Sequence, residues 1–418
     1  MSLFESSSVL ALSSLLRQEP LPKELEVTIL PFPDDDEETS FMKDGIHLGI
    51  HAPHVPKLAR EFRKLYYSLR HIAIGLPSGG SDHKDESYLL DCISCLLLLC
   101  PDHATAWADR KRLLQSCWRR QNEVGSNVDS QINFWKDELR YMNMLFTQHS
   151  KAPNAWNHRR WICRQILYVY KNKVHKVGDE DPIYDILVQW ATVEIAICTV
   201  IAEKYPKNYY AWTHRNFVIK TMLSLSRDDK ALSEIVEDLI SSEVDMIGPW
   251  LKKHVSDHSA VHYGGEVLRC YLDIQLDDMM KLKQLEAKLE ESLELIEKHT
   301  SHEVIWIWRR ILSRLLITLL VMTDQDLKLK IFMTKEIEFV RTLLSKHTKT
   351  SDLQEMDFTY RYSSTYILWV INYIRKAAPT CLDSIKVDFS EIRKDIIAKG
   401  ILGEDTSVKT KVWEITIE

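Results

Sequence analysis

Several residue groups in this 418-residue chain have the types and spacing that chemistry uses. Cys92 and Cys95 stand three apart, half of a tetrahedral zinc set, and His258 and His262 stand one helical turn apart, where two imidazoles can share a metal. Neither group is completed. The cysteines lie in an apolar tract with no second Cys pair, so buried structural thiols are expected there. Among sixteen His no H-E-x-x-H or comparable pair stands out. Gly264-Gly265 is too short to cradle a phosphate, and no G-x-S-x-G or other nucleophile motif is present. Lys207-Asn208-Tyr209 follows Pro206 in a polar turn, where residue type alone makes the lysine a solvated loop cation. The chain is therefore expected to hold no complete active site of its own and no metal.

Composition narrows the class. With 45% apolar and 27% charged residues and only 12 Gly and 13 Pro, the chain has enough apolar content for a folded core and no low-complexity bias. Fifty-four basic against 60 acidic residues give a net charge of -6, and no dense basic stripe offers a nucleic-acid footprint. Eight Cys scattered through so large a chain fit a reducing, cytoplasmic setting better than disulfide staples. The amino terminus lacks a basic n-region and carries Glu5, a poor secretory signal. The longest apolar tracts, 311–322 and 92–100, fall short of the roughly 20 residues a bilayer needs, so no membrane span is expected. Ser2 in place of glycine and a tail without Cys argue against a lipid anchor.

The elements that would position these residues come from a repeat. Residues 1–56, with six prolines between 20 and 56 and the acidic run Asp34–Glu38, read as an irregular N-terminal arm. From 57 onward the pattern is helical almost throughout, and alternating strand patterns are scarce. A short phrase then recurs: PDHATAWADRKRLL, KAPNAWNHRRWICRQI, PKNYYAWTHRNFVI, SDHSAVHYGGEVL and SHEVIWIWRRILSRLL. Aligned, they place Trp107, Trp156, Trp212, Val261 and Trp306 at one position, 49, 56, 49 and 45 residues apart. Amphipathic stretches precede each phrase, 187–205 and 282–299 among them, so one unit is a pair of helices.

The phrase makes sense as the start of the second helix. Pro101 or Pro206 ends the preceding helix, and Asp102, Asn208 or Asp257 can cap the next one. An indole burying about 150–250 Å² contributes roughly 4–6 kcal/mol gross at about 25 cal/mol per Å², enough to fix packing between units. Arg110, Arg159, Arg215 and Arg309 sit three residues after their Trp, where a guanidinium can stack on the ring or bond carbonyls of an adjacent turn. These eight residues form the expected repeat core of an all-α solenoid of stacked helical hairpins, with five repeats over about 85–315 and a C-terminal helical cap completing a 57–418 domain. The 34-residue tetratricopeptide period fits less well.

The A-W-x-H-R phrase with an upstream P-x-N resembles the repeat of protein prenyltransferase alpha subunits. LEVTILPFP, KLYYSLR, LLLLCPDHATAW and HVSDHSAVHY are similar to the type III geranylgeranyltransferase branch of that family. The resemblance implies a crescent of hairpins, an α-α superhelix, wrapping a beta subunit, here of the Rab geranylgeranyltransferase type. That beta subunit carries the catalytic Zn²⁺ and the isoprenoid tunnel. It implies transfer of an isoprenoid from a prenyl diphosphate to a C-terminal Cys of a cytosolic protein, a singly prenylated SNARE being one example. Other implied possibilities are a farnesyltransferase or type I alpha subunit and, outside enzymes, a helical adaptor. By the same resemblance Lys207 faces the diphosphate and Tyr209 lies beside it, with Asn208, Asp257 and His258 substrate-facing. Two repeats depart from the pattern. Val261, Tyr263 and Gly264 replace Trp, His and Arg in the fourth, and Ala152 stands where Asn is usual in the second.

Overall fold

A computed structural model describes residues 7–17, 25–31, 40–73, 83–123, 128–174, 183–227, 229–347 and 353–379. By contacts the chain divides into two compact units, 1–218 and 219–418. The division does not fall at the 56/57 boundary expected from the sequence.

The first unit opens with helix α1 (Ser7–Arg17) and a three-stranded sheet: β1 (Glu26–Leu30), β2 (Phe41–Asp44) and β3 (His47–His51), in the order β1-β3-β2. This corrects the expected irregular arm. Val27, Thr28 and Ile29 are β-branched, and β2 and β3 are joined through the two-residue turn Gly45-Ile46, with Gly45 at φ +54°. Strand β3 runs antiparallel to β2 and parallel to β1, Val27 opposite Leu48. Leu25, Val27, Leu48 and Ile50 are buried, and the Val27 N–H donates to Thr147 Oγ1 at 2.9 Å. The acidic run and the prolines at 20, 22 and 33 lie outside the described residues.

Helices α2 (Val55–Ala73), α3 (His83–Leu99), α4 (Ala104–Glu123), α5 (Val128–His149), α6 (Pro153–Val174) and α7 (Ile183–Lys204) follow. Helix α8 (Tyr209–Leu225) begins in this unit. The second unit holds α9 (Lys230–Lys253), α10 (His258–Ile274), α11 (Asp278–Lys298), α12 (Glu303–Met322), α13 (Asp326–His347) and α14 (Leu353–Ala377). Helix α3 packs on α4, α5 on α6, α9 on α10 and α11 on α12, and α14 closes on α12 and α13. The fold class is thus the expected one: helical hairpins whose second members α4, α6, α8, α10 and α12 each begin with the recurring phrase. Residues 380–418, part of the expected cap, lie outside the described residues.

Helix α7 departs from the amphipathic reading. Its mean hydropathy reaches 1.6, which by length and composition alone would suffice to cross a membrane. It nevertheless carries Glu194, 1% exposed and ion-paired.

Candidate functional site

The turns between paired helices are built the same way. Trp107 Nε1 donates to the Pro101 carbonyl at 2.7 Å, Trp156 Nε1 to Ser150 at 2.8 Å and Trp306 Nε1 to Thr300 at 2.8 Å. Each indole is at most 3% exposed and ties the turn six residues behind it, so it packs the core and fixes the turn together. Val261 is also buried but has no donor. In that repeat Trp250, from the last turn of α9, donates instead to Asp257 Oδ2 at 3.3 Å.

Two residues expected to face substrate are turn fittings. Asn208 is fully buried; its Nδ2 donates to the Ser150 carbonyl at 2.9 Å and its Oδ1 accepts from Ala211 N at 3.3 Å. Asp257, 3% exposed, caps α10 by accepting from Ser259 N and Ala260 N at 3.1 and 3.2 Å. Both serve the P-x-N and S-D positions as N-caps, satisfying free amides of the next helix. Their carboxamide and carboxylate are committed inside the chain, which corrects the substrate-facing expectation.

The Arg of the phrase finds a partner that the sequence reading did not name. Arg110 meets Glu138 through Nε and Nη2, both at 2.7 Å, and its Nη1 donates to Ser94 Oγ. Arg159 grips Glu194 at 2.7 and 2.8 Å, and Arg309 grips Glu336 at 2.9 and 2.6 Å. All six side chains are buried. The His of the phrase completes the set, with His158 Nε2 at 2.7 Å from Glu138 and His214 Nε2 at 2.7 Å from Glu194. Tyr263 and Tyr366 donate to Glu243 and Glu336 in the same manner. Glu138 and Glu194 therefore each receive the arginine of the preceding hairpin and the histidine of their own, and Glu336 receives Arg309 and Tyr366. The His158 ring also rests 4.7 Å from Trp107, and the His214 ring 5.2 Å from Trp156.

Electrostatics follow from this packing. Burial alone would raise the Glu138 carboxyl, but the Arg110 guanidinium and the His158 hydrogen bond override it and hold it near 2. Glu194 is likewise held well below the usual carboxylate range by Arg159 and His214 against its own burial. Burial pushes His158 and His214 down, so the imidazoles sit neutral. The missed glutamates had a signal. Glu138, Glu194 and Glu243 each lie eighteen positions before the repeat position held by Trp156, Trp212 and Val261.

At the fourth repeat the chemistry changes as a set. Gly264 takes the arginine position, and a side chain there would meet Ile247 at 3.1 Å; a Cβ on Gly265 would meet Ile311 at 3.1 Å. The glycine pair is a close-packing device. Lys288, eighteen positions before Trp306, replaces the glutamate; it is 3% exposed and pairs with Asp245 at 3.0 Å and Glu291 at 3.2 Å.

Lys207 stands out from these fittings. It is exposed, at φ +59°, and its carbonyl accepts from Tyr209 N at 3.2 Å. A left-handed non-glycine residue costs about 1–2 kcal/mol, a strain that often marks functional turns. Just before it, Lys204, Tyr205 and Pro206 join Pro101, Asp102 and 148–153 in lining a cleft of 570 Å³. Three successive turns thus converge, and Lys151 Nζ donates to the Pro206 carbonyl at 3.1 Å. Tyr209 is 58% exposed beside them. His258 and His262 are exposed one turn apart on α10, in the second unit.

The thiols behave as packing. Cys92 and Cys95 are fully buried, and burial pushes the Cys92 thiol up to about 12. Cys163, Glu194 and His214 lie close enough to hold a metal. Arg159 already occupies both oxygens of that carboxylate, however, and burial and Glu194 raise the Cys163 thiol well above its usual range. This donor set suits an ion pair rather than a cation.

Residues 135–166 and 192–222 match the protein prenyltransferase alpha subunit repeat. The chain is 29% identical over 266 residues to protein prenyltransferase alpha subunit repeat-containing protein 1 of Homo sapiens, covering 54% of this chain and 58% of that protein. It is 27% identical over 277 residues to protein 1-B of that name in Xenopus laevis, covering 58% of each. A more distant likeness, 25% over 154 residues, joins 36% of the chain to 42% of the geranylgeranyl transferase type-2 subunit alpha of Saccharomyces cerevisiae. The chain spans little more than half the length of the repeat-containing relatives it matches.

Proposed function

We propose that this chain, which carries the protein prenyltransferase alpha subunit repeat, is the alpha subunit of a heterodimeric protein geranylgeranyltransferase. In this reading a beta subunit of the Rab geranylgeranyltransferase type binds it in the cytosol and supplies the isoprenoid tunnel and a Zn²⁺, which keeps the acceptor cysteine as thiolate at neutral pH. Sulfur attacks C1 of the prenyl diphosphate, the C1–O bond breaks, and the diphosphate leaves with the electron pair. The growing negative charge on that leaving group is what a positioned cation stabilises. Lys207 is the cation this chain offers. Its ammonium donates to the diphosphate, with Tyr209 beside it and Asn208 buried underneath to hold the turn. The acceptor is a protein with a C-terminal Cys, such as a singly prenylated SNARE.

The observation that supports this most is the exposed lysine on a left-handed turn next to a cleft walled by three repeat turns. Co-expression with candidate beta subunits, followed by geranylgeranyl and farnesyl transfer assays, tests it. Lys207→Ala should slow transfer at least tenfold while the heterodimer still elutes as one species. Unchanged turnover would remove Lys207 from the site. Failure of every beta subunit to co-purify, with no transfer, would leave a helical adaptor; preference for farnesyl would move the chain to the farnesyltransferase branch.

A further inference from the structure

The second helices use one side for the Arg–Glu–His sets and leave another side open. On α4 and α6 that open side carries Lys111, Arg160 and Arg164, and no aspartate or glutamate among the described residues pairs with any of the three. This is unusual in a chain of net charge -6, whose buried Arg110, Arg159 and Arg309 are each matched to a carboxylate. Aromatic rings sit between the charges. Lys111 Nζ lies 5.8 Å from the Trp161 ring and the Arg164 guanidinium 5.2 Å from the Phe217 ring, and both rings are only half-buried.

The arrangement is unsatisfied in two ways. Arg160 Nη2 donates to Asn157 Oδ1 at 2.6 Å, but its Nη1 is buried without an acceptor. A buried donor left without a partner is costly, and native proteins rarely keep one that nothing completes. In addition, burial and the nearby Arg164 push both Lys111 and Arg160 below their ordinary pKa, the mark of cations gathered without counter-charge. Arginine, tryptophan and phenylalanine on a half-exposed face are what the centre of a protein interface contains, and a carboxylate is the group that bridges a guanidinium pair with fixed geometry.

We infer that the Lys111–Arg160–Trp161–Arg164–Phe217 face docks an acidic, aromatic-accepting surface of a partner protein, whose carboxylates pair with the unmatched Lys111 and Arg164 and cover Arg160. The inference rests on the subunit reading for its occupant, the beta subunit, and adds that this contact is electrostatic. Opposite charges across such a contact speed association and set its salt dependence.

The test uses the full chain and the beta subunit, with the dissociation constant measured at low and at physiological salt. The K111E/R160E/R164E variant should bind at least tenfold more weakly than the wild type, and its salt dependence should flatten. The K57E/K64E/K136E variant makes the same charge change at exposed positions of α2 and α5. It should bind as the wild type does, and all three proteins should share one melting temperature. Equal binding by the first variant overturns this inference and leaves the subunit reading standing. Absence of wild-type binding overturns both. Loss of heparin or RNA binding with the beta-subunit affinity intact assigns the face to a polyanion and also overturns it.

Discussion

The second and third hairpins and the fourth solve the same packing problem with opposite chemistry. From α4 to α8 the junctions hold Arg110–Glu138–His158 and Arg159–Glu194–His214, in which each buried guanidinium meets both oxygens of a buried carboxylate. Around α10 the arginine is Gly264, and the glutamate position of the next hairpin is Lys288, whose partners Asp245 and Glu291 are 63% and 40% exposed. Both halves of the pair are gone together, so neither leaves a buried charge alone. A buried ion pair is expensive to break from one side, whereas replacing both sides by packing is often neutral. The departures of the fourth repeat from the A-W-x-H-R phrase are therefore coupled substitutions and imply no loss of the hairpin.

The contrast can be broken most forcefully at the buried glutamate. Glu194→Ala strands Arg159 and should cost about 3–5 kcal/mol, read as a drop in the urea midpoint. Lys288→Met, the equivalent change in the fourth junction, should stay within about 1 kcal/mol because its partners keep their water. Equal losses would show that the two junctions do not differ in kind. Next in size, Gly264→Val should cost about 1–3 kcal/mol, since even a Cβ meets Ile247 at 3.1 Å; a neutral result would mean that α9 and α10 separate easily.

Acid should discriminate more gently. His158 and His214 have folded-state pKa values below 6.5, so the unfolded chain binds more protons as pH falls and their stabilisation is lost below about 6.5. Glu138 is depressed from 4.5 to about 2, so its share persists to lower pH and disappears between those values. Denaturant midpoints should therefore fall in two stages from pH 7 to 3. Replacing both histidines by Gln should erase the first stage; an unchanged profile would mean that the imidazoles titrate without regard to folding.

Much of this architecture is legible in the sequence because Trp107, Trp156, Trp212 and Trp306 are rare and large, and with Val261 in register they recur every 45 to 56 residues. They mark the second helices directly. The glutamates escape the same reading because a lone Glu in a helix is ordinary, and only its register to a Trp on another helix reveals that it is buried. The sheet escapes for a different reason: prolines and acids around it dominate the composition, although Asp44-Gly45 between short alternating runs is a hairpin signal. At the candidate site, the exposure of Lys207 follows from its turn, but the internal use of Asn208 and Asp257 does not. N-capping and ligand contact draw on the same residue types, and only the located donors separate them.

The shared glutamate has an evolutionary corollary. Because α5–α6 and α7–α8 each offer a buried glutamate to the arginine of the hairpin before, excising α5–α6 as a pair would deliver Arg110 to Glu194 where it now meets Glu138. Chain length can thus change in whole modules with each internal charge re-matched, while loss of a single helix could not be accommodated.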